Sequence, residues 1–184
     1  MFVFLIQMRA KYFIGILPPP EICDKIEQVK LELMREHKLR GALRSPAHIT
    51  LHRPFEWKEE NENELLENCN KFSPKKKFNI ELKNYNCFQP RVIYADVVKN
   101  PDLTDLYYLF RGHAKRQMGI FNEDDNERGF EPHITVAFRD LKKQLFYKLW
   151  DQFKNREFIA EFEFKGICLF KLQDKWEVLK EFNI

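Results

Sequence analysis

Two copies of one tetrapeptide contain the residue types with the clearest potential for chemistry in this chain. Residues 48–51 read His-Ile-Thr-Leu and residues 133–136 read His-Ile-Thr-Val, which are 133 − 48 = 85 positions apart. Side chains alternate between the two faces of a β-strand. Each copy therefore places its histidine and threonine on one face and its two aliphatic residues on the other. With the aliphatic face buried, each copy presents an imidazole beside a hydroxyl.

Two imidazoles and two hydroxyls suit displacement at a phosphorus atom. If the halves of the chain are related by a pseudo-twofold axis, the two polar faces meet in one cleft and form two copies of one half-site. Histidine has an unperturbed pKa of about 6.5, so one ring of a pair can act as a base while the other acts as an acid. Threonine hydroxyls can donate hydrogen bonds to the non-bridging oxygens of a phosphate.

The elements that must position the two motifs follow one another in the same order twice. Each motif is a predicted strand, preceded by a strand and a helix and followed by a helix and a strand. Proline and glycine mark several of the boundaries. Helices are predicted at residues 21–39, 62–72, 102–118 and roughly 141–154. Other strands are predicted at 11–19, 76–85 and 91–98, with a closing hairpin formed by 157–170 and 175–182. The first motif strand is expected to end near Pro54.

This repeated order predicts an α+β fold with two lobes. Two antiparallel sheets, related by a pseudo-twofold axis, are expected to flank a central cleft, with the helices on the outside. A chain of 184 residues fits a single domain. The domain is expected to span residues 1–184, with halves of roughly 1–90 and 91–184. His48 and His133 should face each other across the cleft.

Composition and charge favour a globular protein and exclude several other classes. The chain is 44% hydrophobic, has 18 Phe and is 32% charged, which is typical of a packed core with a soluble surface. A formal net charge of +3 permits attraction to phosphates but is too small for a protein that coats a DNA duplex. The four cysteines lack metal-ligand spacing and are expected to be reduced thiols in a cytoplasmic protein. The apolar N-terminus is a poor signal peptide, and no apolar run approaches the ~20 residues of a membrane span.

The paired motifs resemble those of the 2H phosphoesterases. In that superfamily, two histidine-x-threonine (or serine) motifs followed by a hydrophobic residue lie on strands about half a chain apart. The chain is most similar to the 2′-5′ RNA ligase (LigT-like) branch, which includes RNA 2′,3′-cyclic phosphodiesterases. The resemblance covers most of the chain: both motifs, the opening strand with its proline stop, and the stretch CFQPRVIYADV at 87–97.

The resemblance implies a function and a role for each motif residue. His48 and His133 would be the catalytic pair, and Thr50 and Thr135 would bind the phosphate. In this superfamily the first histidine is usually drawn as the proton donor and the second as the acceptor. The implied activity is a metal-independent phosphoesterase that acts on a 2′,3′-cyclic or 2′-5′ phosphodiester of RNA ends or nucleotides. It would need no cofactor, and a monomer is expected.

The chain departs from the superfamily pattern after the second motif. Members that process RNA often have arginine five positions after the second histidine. Here that position is Phe138, and Arg139 follows it. In a continuous strand, Phe138 would share the face of Ile134 and Val136, where core packing accounts for it, and Arg139 would point the opposite way.

Four further residues are candidates for substrate contact. Arg44 ends a basic stretch that leads into the first motif, where it could attract a polyanion or simply belong to a solvated helix end. His52 lies on the His48 face if alternation continues, or else is a surface residue at the strand end. Phe88 and Tyr94 lie where superfamily members place part of the cleft wall. Either ring could stack on a nucleobase or pack in the core.

Three alternatives remain at this stage. Two histidines could bind zinc in a metal hydrolase, although the motifs lack a third ligand at a known spacing. The cleft could belong to a nucleotide- or phosphate-binding module without turnover. The acidic segment 122–127 could suggest a Ca²⁺ site, but it lacks the spacing and central glycine of an EF-hand loop, so a flexible acidic loop is the expected reading.

Overall fold

A computed structural model gives the structure of the chain and describes residues 8–74, 76–122 and 129–184. Within these ranges the strands are β1 (Arg9–Ile16), β2 (Ile49–Lys58), β3 (Asn79–Phe88), β4 (Val92–Val97), β5 (His133–Ala137), β6 (Ile159–Glu163), β7 (Gly166–Leu172) and β8 (Trp176–Asn183). The α-helices are α1 (Pro20–His37), α2 (Glu62–Asn70), α3 (Pro101–His113) and α4 (Lys143–Phe153). Short 3₁₀ turns lie at Gly41–Arg44 and Glu59–Asn61, and a π-helical turn at Ala114–Met118 follows α3.

The strands form two four-stranded antiparallel sheets. The first sheet has the order β2-β1-β7-β8 and the second has the order β5-β4-β3-β6. Each motif strand, β2 or β5, therefore lies at the edge of its sheet beside the strand that opens its repeat. The predicted α+β class, with two antiparallel sheets, and the repeated strand-helix-strand-helix-strand order are confirmed.

The sheets do not follow the expected halves of the chain. Strand β3 precedes residue 90 but belongs to the second sheet, and β7 and β8 complete the first sheet from the C-terminal end. The predicted closing hairpin is confirmed for β7 and β8, but its first arm, predicted over 157–170, is two strands: β6 pairs with β3 in the second sheet, and β7 pairs with β1 and β8 in the first. Gly166 begins β7 after this change of sheet. A Cβ there would lie 2.0 Å from the carbonyl oxygen of Phe182, so only glycine permits the approach of β8.

The first motif strand is longer than predicted. Strand β2 continues through Pro54 to Lys58. Proline lacks the N–H that a central strand needs, but an edge strand has one side without a neighbour. The edge position of β2 therefore explains why Pro54 does not end it.

The helices cover the outer faces of the sheets and connect the two repeats. In α1, residues at helical spacing are buried: Ile22, Ile26, Val29, Lys30 and Leu33. Helix α1 ends at His37, and the next residue, Lys38, has a left-handed φ of 61° and an N–H that caps the last turn. Helix α1 contacts β5, and α3 contacts β2, so each helix packs against the motif strand of the other repeat. The two motif strands also contact each other. In the part of the chain that the structure describes, no helix has the length and hydropathy needed to cross a membrane.

Candidate active site

Each motif strand contains a β-bulge directly after its threonine. In β2, the residues on either side of Leu51 pair with consecutive residues of β1, so Leu51 is the extra residue. In β5, the residues on either side of Val136 pair with consecutive residues of β4. The two bulges are 136 − 51 = 85 positions apart, the same separation as the two motifs. Bulges bend a strand and redirect its side chains, often next to active sites.

The bulge explains why His52 lies outside the site. Alternation predicts that His52 shares the face of His48, and this is wrong, because the extra residue shifts His52 to the buried face. His52 is only 2% exposed and makes a T-shaped contact with the Phe55 ring at 5.2 Å between centroids. Its Nδ1 atom lies 2.8 Å from the carbonyl oxygen of Arg53. It does not line the cleft described below.

The two motif imidazoles are oriented by identical backbone contacts. Nδ1 of His48 lies 2.7 Å from the carbonyl oxygen of Pro46, and Nδ1 of His133 lies 2.7 Å from that of Glu131. A carbonyl only accepts hydrogen bonds, so Nδ1 carries the hydrogen in both rings. Nε2 is then the atom of each ring that can take or give a proton on the cleft side.

Aromatic rings surround the His48 imidazole. Phe13 of β1 and Phe170 of β7 lie 4.5 and 5.5 Å from it between ring centroids. Phe13 in turn stacks on Phe170 and makes a T-shaped contact with Trp176 of β8. These side chains form a small apolar cluster on the first sheet that fixes the ring and removes water from around it.

Aromatic rings also contact the His133 imidazole, here those of Phe88 and Tyr94. Their ring centroids lie 5.0 and 4.9 Å from the His133 imidazole and 4.6 Å from each other. Tyr94 is buried, and neither ring is among the residues that line the cleft. Tyr94 pairs with Thr135, so its side chain is on the motif face of the second sheet, and both rings pack against His133 without lining the cleft.

Both motif faces open into one cleft of about 230 Å³. His48, His133, Thr50 and Thr135 all line it. The remaining lining residues include two exposed arginines and two aromatic side chains: Arg44, Arg139, Phe138 and Trp176. The structure thus brings together the four predicted motif residues and Arg44, while leaving His52, Phe88 and Tyr94 out of the lining.

Phe138 and Arg139 lie differently from the sequence-based expectation. Strand β5 ends at Ala137, so alternation no longer applies to either residue. Phe138 is 41% exposed and lines the cleft instead of joining the core. Arg139 has a left-handed φ of 66°, and this turn directs the chain so that both residues line the same cleft.

A carboxylate joins the loops that follow one motif and precede the other. Asp140 accepts hydrogen bonds from the backbone N–H groups of Arg40 and Gly41, at 2.6 and 3.0 Å. Gly41 is required there, because a Cβ would lie 2.1 Å from the carbonyl oxygen of Phe138. This contact fixes one wall of the cleft, between the 3₁₀ turn that carries Arg44 and the end of β5.

Burial lowers the pKa of both catalytic candidates. For His48, desolvation lowers the pKa to about 4, helped by the charges of Lys30 and His133 and opposed by the Pro46 carbonyl. For His133, desolvation again lowers the pKa, while the Glu131 carbonyl and the carboxylates of Asp96 and Glu131 act in the opposite direction. Both rings are therefore neutral at neutral pH without a ligand. A bound anion is needed to favour the imidazolium form.

Within the described ranges, no group of side chains supports the alternative of a metal site. There, no three His, Cys, Asp or Glu side chains lie in an arrangement that could hold a metal ion. Most of the acidic segment 122–127, for which a flexible loop was expected, lies outside the described residues. Asn122 is described: its side chain accepts from the N–H of Arg53 and donates to the carbonyl of Leu51, so it holds the bulge of β2.

Two charged residues near the histidines were not singled out from the sequence. Lys30 lies on the apolar stripe of α1 and is 2% exposed. Asp96 lies in the otherwise uncharged strand β4. Both could have been noticed in the sequence: Lys30 is a charged residue at a helical position predicted to be buried, and Asp96 is a charged residue inside an apolar strand.

Comparison with known proteins relates the chain to one family. The model of the 2′-5′ RNA ligase superfamily matches residues 18–176. A protein of Oceanobacillus iheyensis named “Putative phosphoesterase” is 28% identical over 176 residues, which cover 94% of this chain and 91% of the relative. A Bacillus thuringiensis protein (strain Al Hakam) with the same name is 31% identical over 133 residues, or 69% of each chain.

Solved structures show the same fold at low sequence identity. A crystal structure of Escherichia coli LigT complexed with 3′-AMP has a TM-score of 0.66 and 20% identity, and it covers 96% of this chain and 99% of LigT. A Thermus thermophilus protein has a TM-score of 0.63 and 19% identity, with coverage of 94% and 97%. LigT has also been crystallised with phosphate, ATP and NADP⁺.

Proposed function

The chain belongs to the 2′-5′ RNA ligase superfamily of 2H phosphoesterases, and we propose that it opens 2′,3′-cyclic or 2′-5′ phosphodiesters of nucleotides or RNA ends. The reaction uses His48 and His133 as a paired acid and base. The observation that carries this proposal is the identical anchoring of the two imidazoles: the same Nδ1 contact, at the same 2.7 Å, on both sides of one cleft.

This arrangement supplies what displacement at phosphorus needs. One Nε2 takes the proton of the attacking water, and the other gives a proton to the leaving sugar oxygen. The hydroxyls of Thr50 and Thr135 line the same cleft and donate to the non-bridging oxygens. Because Nδ1 of each ring is bound to a backbone carbonyl, the rings need not reorient before the reaction.

The rest of the cleft supports a nucleotide as the substrate. The exposed side chains of Arg44 and Arg139 attract a phosphate, and Phe138 and Trp176 add aromatic side chains to the lining, against which a sugar or base can pack. The volume of about 230 Å³ is below the ~300–1,000 Å³ typical of sites that enclose a drug-sized ligand. It suits the phosphate and the attached sugar, with the remainder of an RNA end outside. The 3′-AMP complex of LigT is consistent with such a ligand on this fold.

A panel of substrates in the presence of EDTA tests the proposal. It contains the four 2′,3′-cyclic nucleotides, a 2′-5′-linked dinucleotide and short RNAs with a cyclic phosphate end, and products are identified by chromatography and ³¹P NMR. We expect turnover of at least one class under chelation. Binding without turnover of any of them would support the phosphate-binding module, and activity that is lost with EDTA and restored by Zn²⁺ or Mn²⁺ would support the metal hydrolase.

A further inference from the structure

The two half-sites share their geometry but differ in the charge beside each histidine. In the pairing of β4 with β5, Asp96 lies directly opposite His133. Residues that oppose each other in an antiparallel pair have side chains on the same face. The Asp96 carboxylate is thus held beside the imidazole, where its Oδ2 atom also accepts from the side chain of Asn86 at 3.2 Å.

The corresponding position beside His48 carries no charge. The last pair between β1 and β2 is Ile16 with Ile49. The equivalent pair in the other half-site is Ala95 with Ile134. Leu17 comes directly after β1 and His48 directly before β2, so extending the register by one step puts Leu17 at the position that Asp96 has in the other half-site. An apolar side chain there gives no support to an imidazolium.

A buried cation lies behind the first half-site instead. The ammonium group of Lys30 donates to the Glu27 carboxylate at 2.7 Å and to the Ser45 carbonyl at 2.9 Å. Ser45 immediately precedes Pro46, whose carbonyl holds the His48 ring. Lys30 therefore anchors the backbone that orients His48 and also places a positive charge near it. Both effects favour a fixed, neutral ring.

We propose that, when the pair of histidines holds a single proton, that proton is on Nε2 of His133, so that His133 is the general acid and His48 is the general base of diester opening. Asp96 and Lys30 are the positioning residues that decide this. The inference rests on the proposed function and reverses the roles that superfamily resemblance implied for the two motifs.

The step balances as follows. A water oxygen forms a bond to phosphorus while its proton passes to Nε2 of His48. The bond from phosphorus to the sugar oxygen breaks, and that oxygen takes the Nε2 proton of His133. The substrate gains one water molecule. His48 ends protonated and His133 neutral, and proton exchange with solvent restores the starting state.

Other charged groups near the pair do not reverse the asymmetry. The Glu131 carboxylate acts on His133 in the same direction as Asp96, while Arg53 of β2 acts against them. The Glu27 carboxylate offsets part of the Lys30 charge at their 2.7 Å contact. Arg44 and Arg139 line the cleft that both imidazoles share. Desolvation lowers both histidine pKa values, and the carboxylates counteract it at His133 alone.

A direct test is an NMR titration of the imidazole nitrogens, which requires no substrate. The His48 and His133 signals are assigned with single His→Asn variants and followed from alkaline to acidic pH, with and without inorganic phosphate. We expect His133 to protonate at a higher pH than His48. Asp96→Asn should lower the His133 pKa, and Lys30→Met should raise that of His48. Asp151→Asn, in the exposed pair with Lys154 on α4, should move neither.

Kinetics with two leaving groups test the roles independently. A sugar oxygen needs a proton on leaving, whereas 4-nitrophenolate does not. His133→Ala should lose about 10²–10⁴-fold in kcat on a 2′,3′-cyclic nucleotide and recover most of that loss on a nucleoside 4-nitrophenyl phosphodiester. His48→Ala should stay impaired on both substrates.

The outcomes separate this inference from the proposed function. Earlier protonation of His48, an unchanged His133 in Asp96→Asn, or recovery of His48→Ala on the aryl ester would each overturn the role assignment while leaving the phosphoesterase intact. Absence of turnover by the unaltered protein on both substrates would remove the proposed function, whatever order of protonation NMR finds.

Discussion

His48 and His133 are held by the same hydrogen bond, from Nδ1–H to the carbonyl of the residue two positions earlier, at 2.7 Å in both cases. Those carbonyls belong to Pro46 and Glu131, which have no side-chain chemistry in common. The equivalence therefore lies in the backbone, at the start of each motif strand. It makes the orientation of the two rings a property of the repeated fold, which explains how a duplicated tetrapeptide becomes one two-sided site.

The threonine hydroxyls should contribute less than the histidines. Thr50→Val and Thr135→Val keep the shape of the side chain and remove one donor to the phosphate. We expect kcat on a cyclic nucleotide to fall roughly 10–10³-fold in each variant, since loss of a single oxyanion donor has an effect of this order. Thr104→Val on α3, away from the cleft, is the matched control. An unchanged kcat in both motif variants would mean that the hydroxyls do not bind the reacting phosphate.

The pH dependence of the reaction rate should reflect the lowered pKa values of His48 and His133. One ring must be neutral and the other protonated, so activity should rise and then fall with pH. In the free protein the pKa of each ring lies below its ordinary value of 6.5. The falling limb of kcat/KM should therefore lie on the acidic side of 6.5. A bound phosphate favours the imidazolium, so the falling limb of kcat should move to higher pH. A single rising limb that levels off would indicate a metal-bound hydroxide instead.

The Asp140 contact should affect binding more than chemistry. Asp140→Asn weakens the charge-assisted hydrogen bonds to the N–H groups of Arg40 and Gly41, which fix one wall of the cleft. Thr50, His133 and Thr135 are on β-strands, and His48 directly precedes β2 with its ring held by the Pro46 carbonyl, so all four stay in place. We expect KM for a cyclic nucleotide to rise several-fold with little change in kcat. A large fall in kcat at constant KM would show that this loop also positions the reacting groups.

Protonation of His48 should destabilise the fold. Its pKa is about 4 in the folded protein and 6.5 as an ordinary value, so the unfolded chain binds more protons between these two pH values. The contribution of neutral His48 to the free energy of unfolding should therefore be fully present above pH 6.5 and be lost as the pH falls toward 4. The loss from this group is on the order of 3 kcal/mol. Urea unfolding of the wild type and His48→Gln at several pH values measures it, and the variant should lose less stability on acidification.

The sequence predicts those parts of the fold that depend on local periodicity. Alternation and helical spacing gave the element order and placed the two motif faces, because these patterns reflect contacts of neighbouring residues. The predicted face of His52 failed because one extra residue in the bulge breaks alternation. The predicted core position of Phe138 was wrong because β5 ends one residue before it. No periodic signal distinguishes either event from a continuous strand.

Long-range pairing is the other part that local patterns miss. Strands β7 and β8 join the first sheet across most of the chain, and β3 joins the second sheet, although the repeat in the sequence suggests that each half forms its own lobe. Likewise, Asp96 and Lys30 become relevant to the histidines only through the pairing of β4 with β5 and the contact of α1 with Ser45. Spacing along the chain carries no information about either contact.

The most direct measurement of the central claim is single-turnover hydrolysis of a 2′,3′-cyclic nucleotide in EDTA by His48→Ala and His133→Ala, with binding of the substrate measured separately by calorimetry. We expect each variant to bind the nucleotide with an affinity close to that of the wild type and to lose about 10²–10⁴-fold in the rate of the chemical step. The reaction should proceed in the wild type under chelation. A variant of either histidine that turns over the cyclic nucleotide at nearly the wild-type rate would contradict the paired acid–base mechanism.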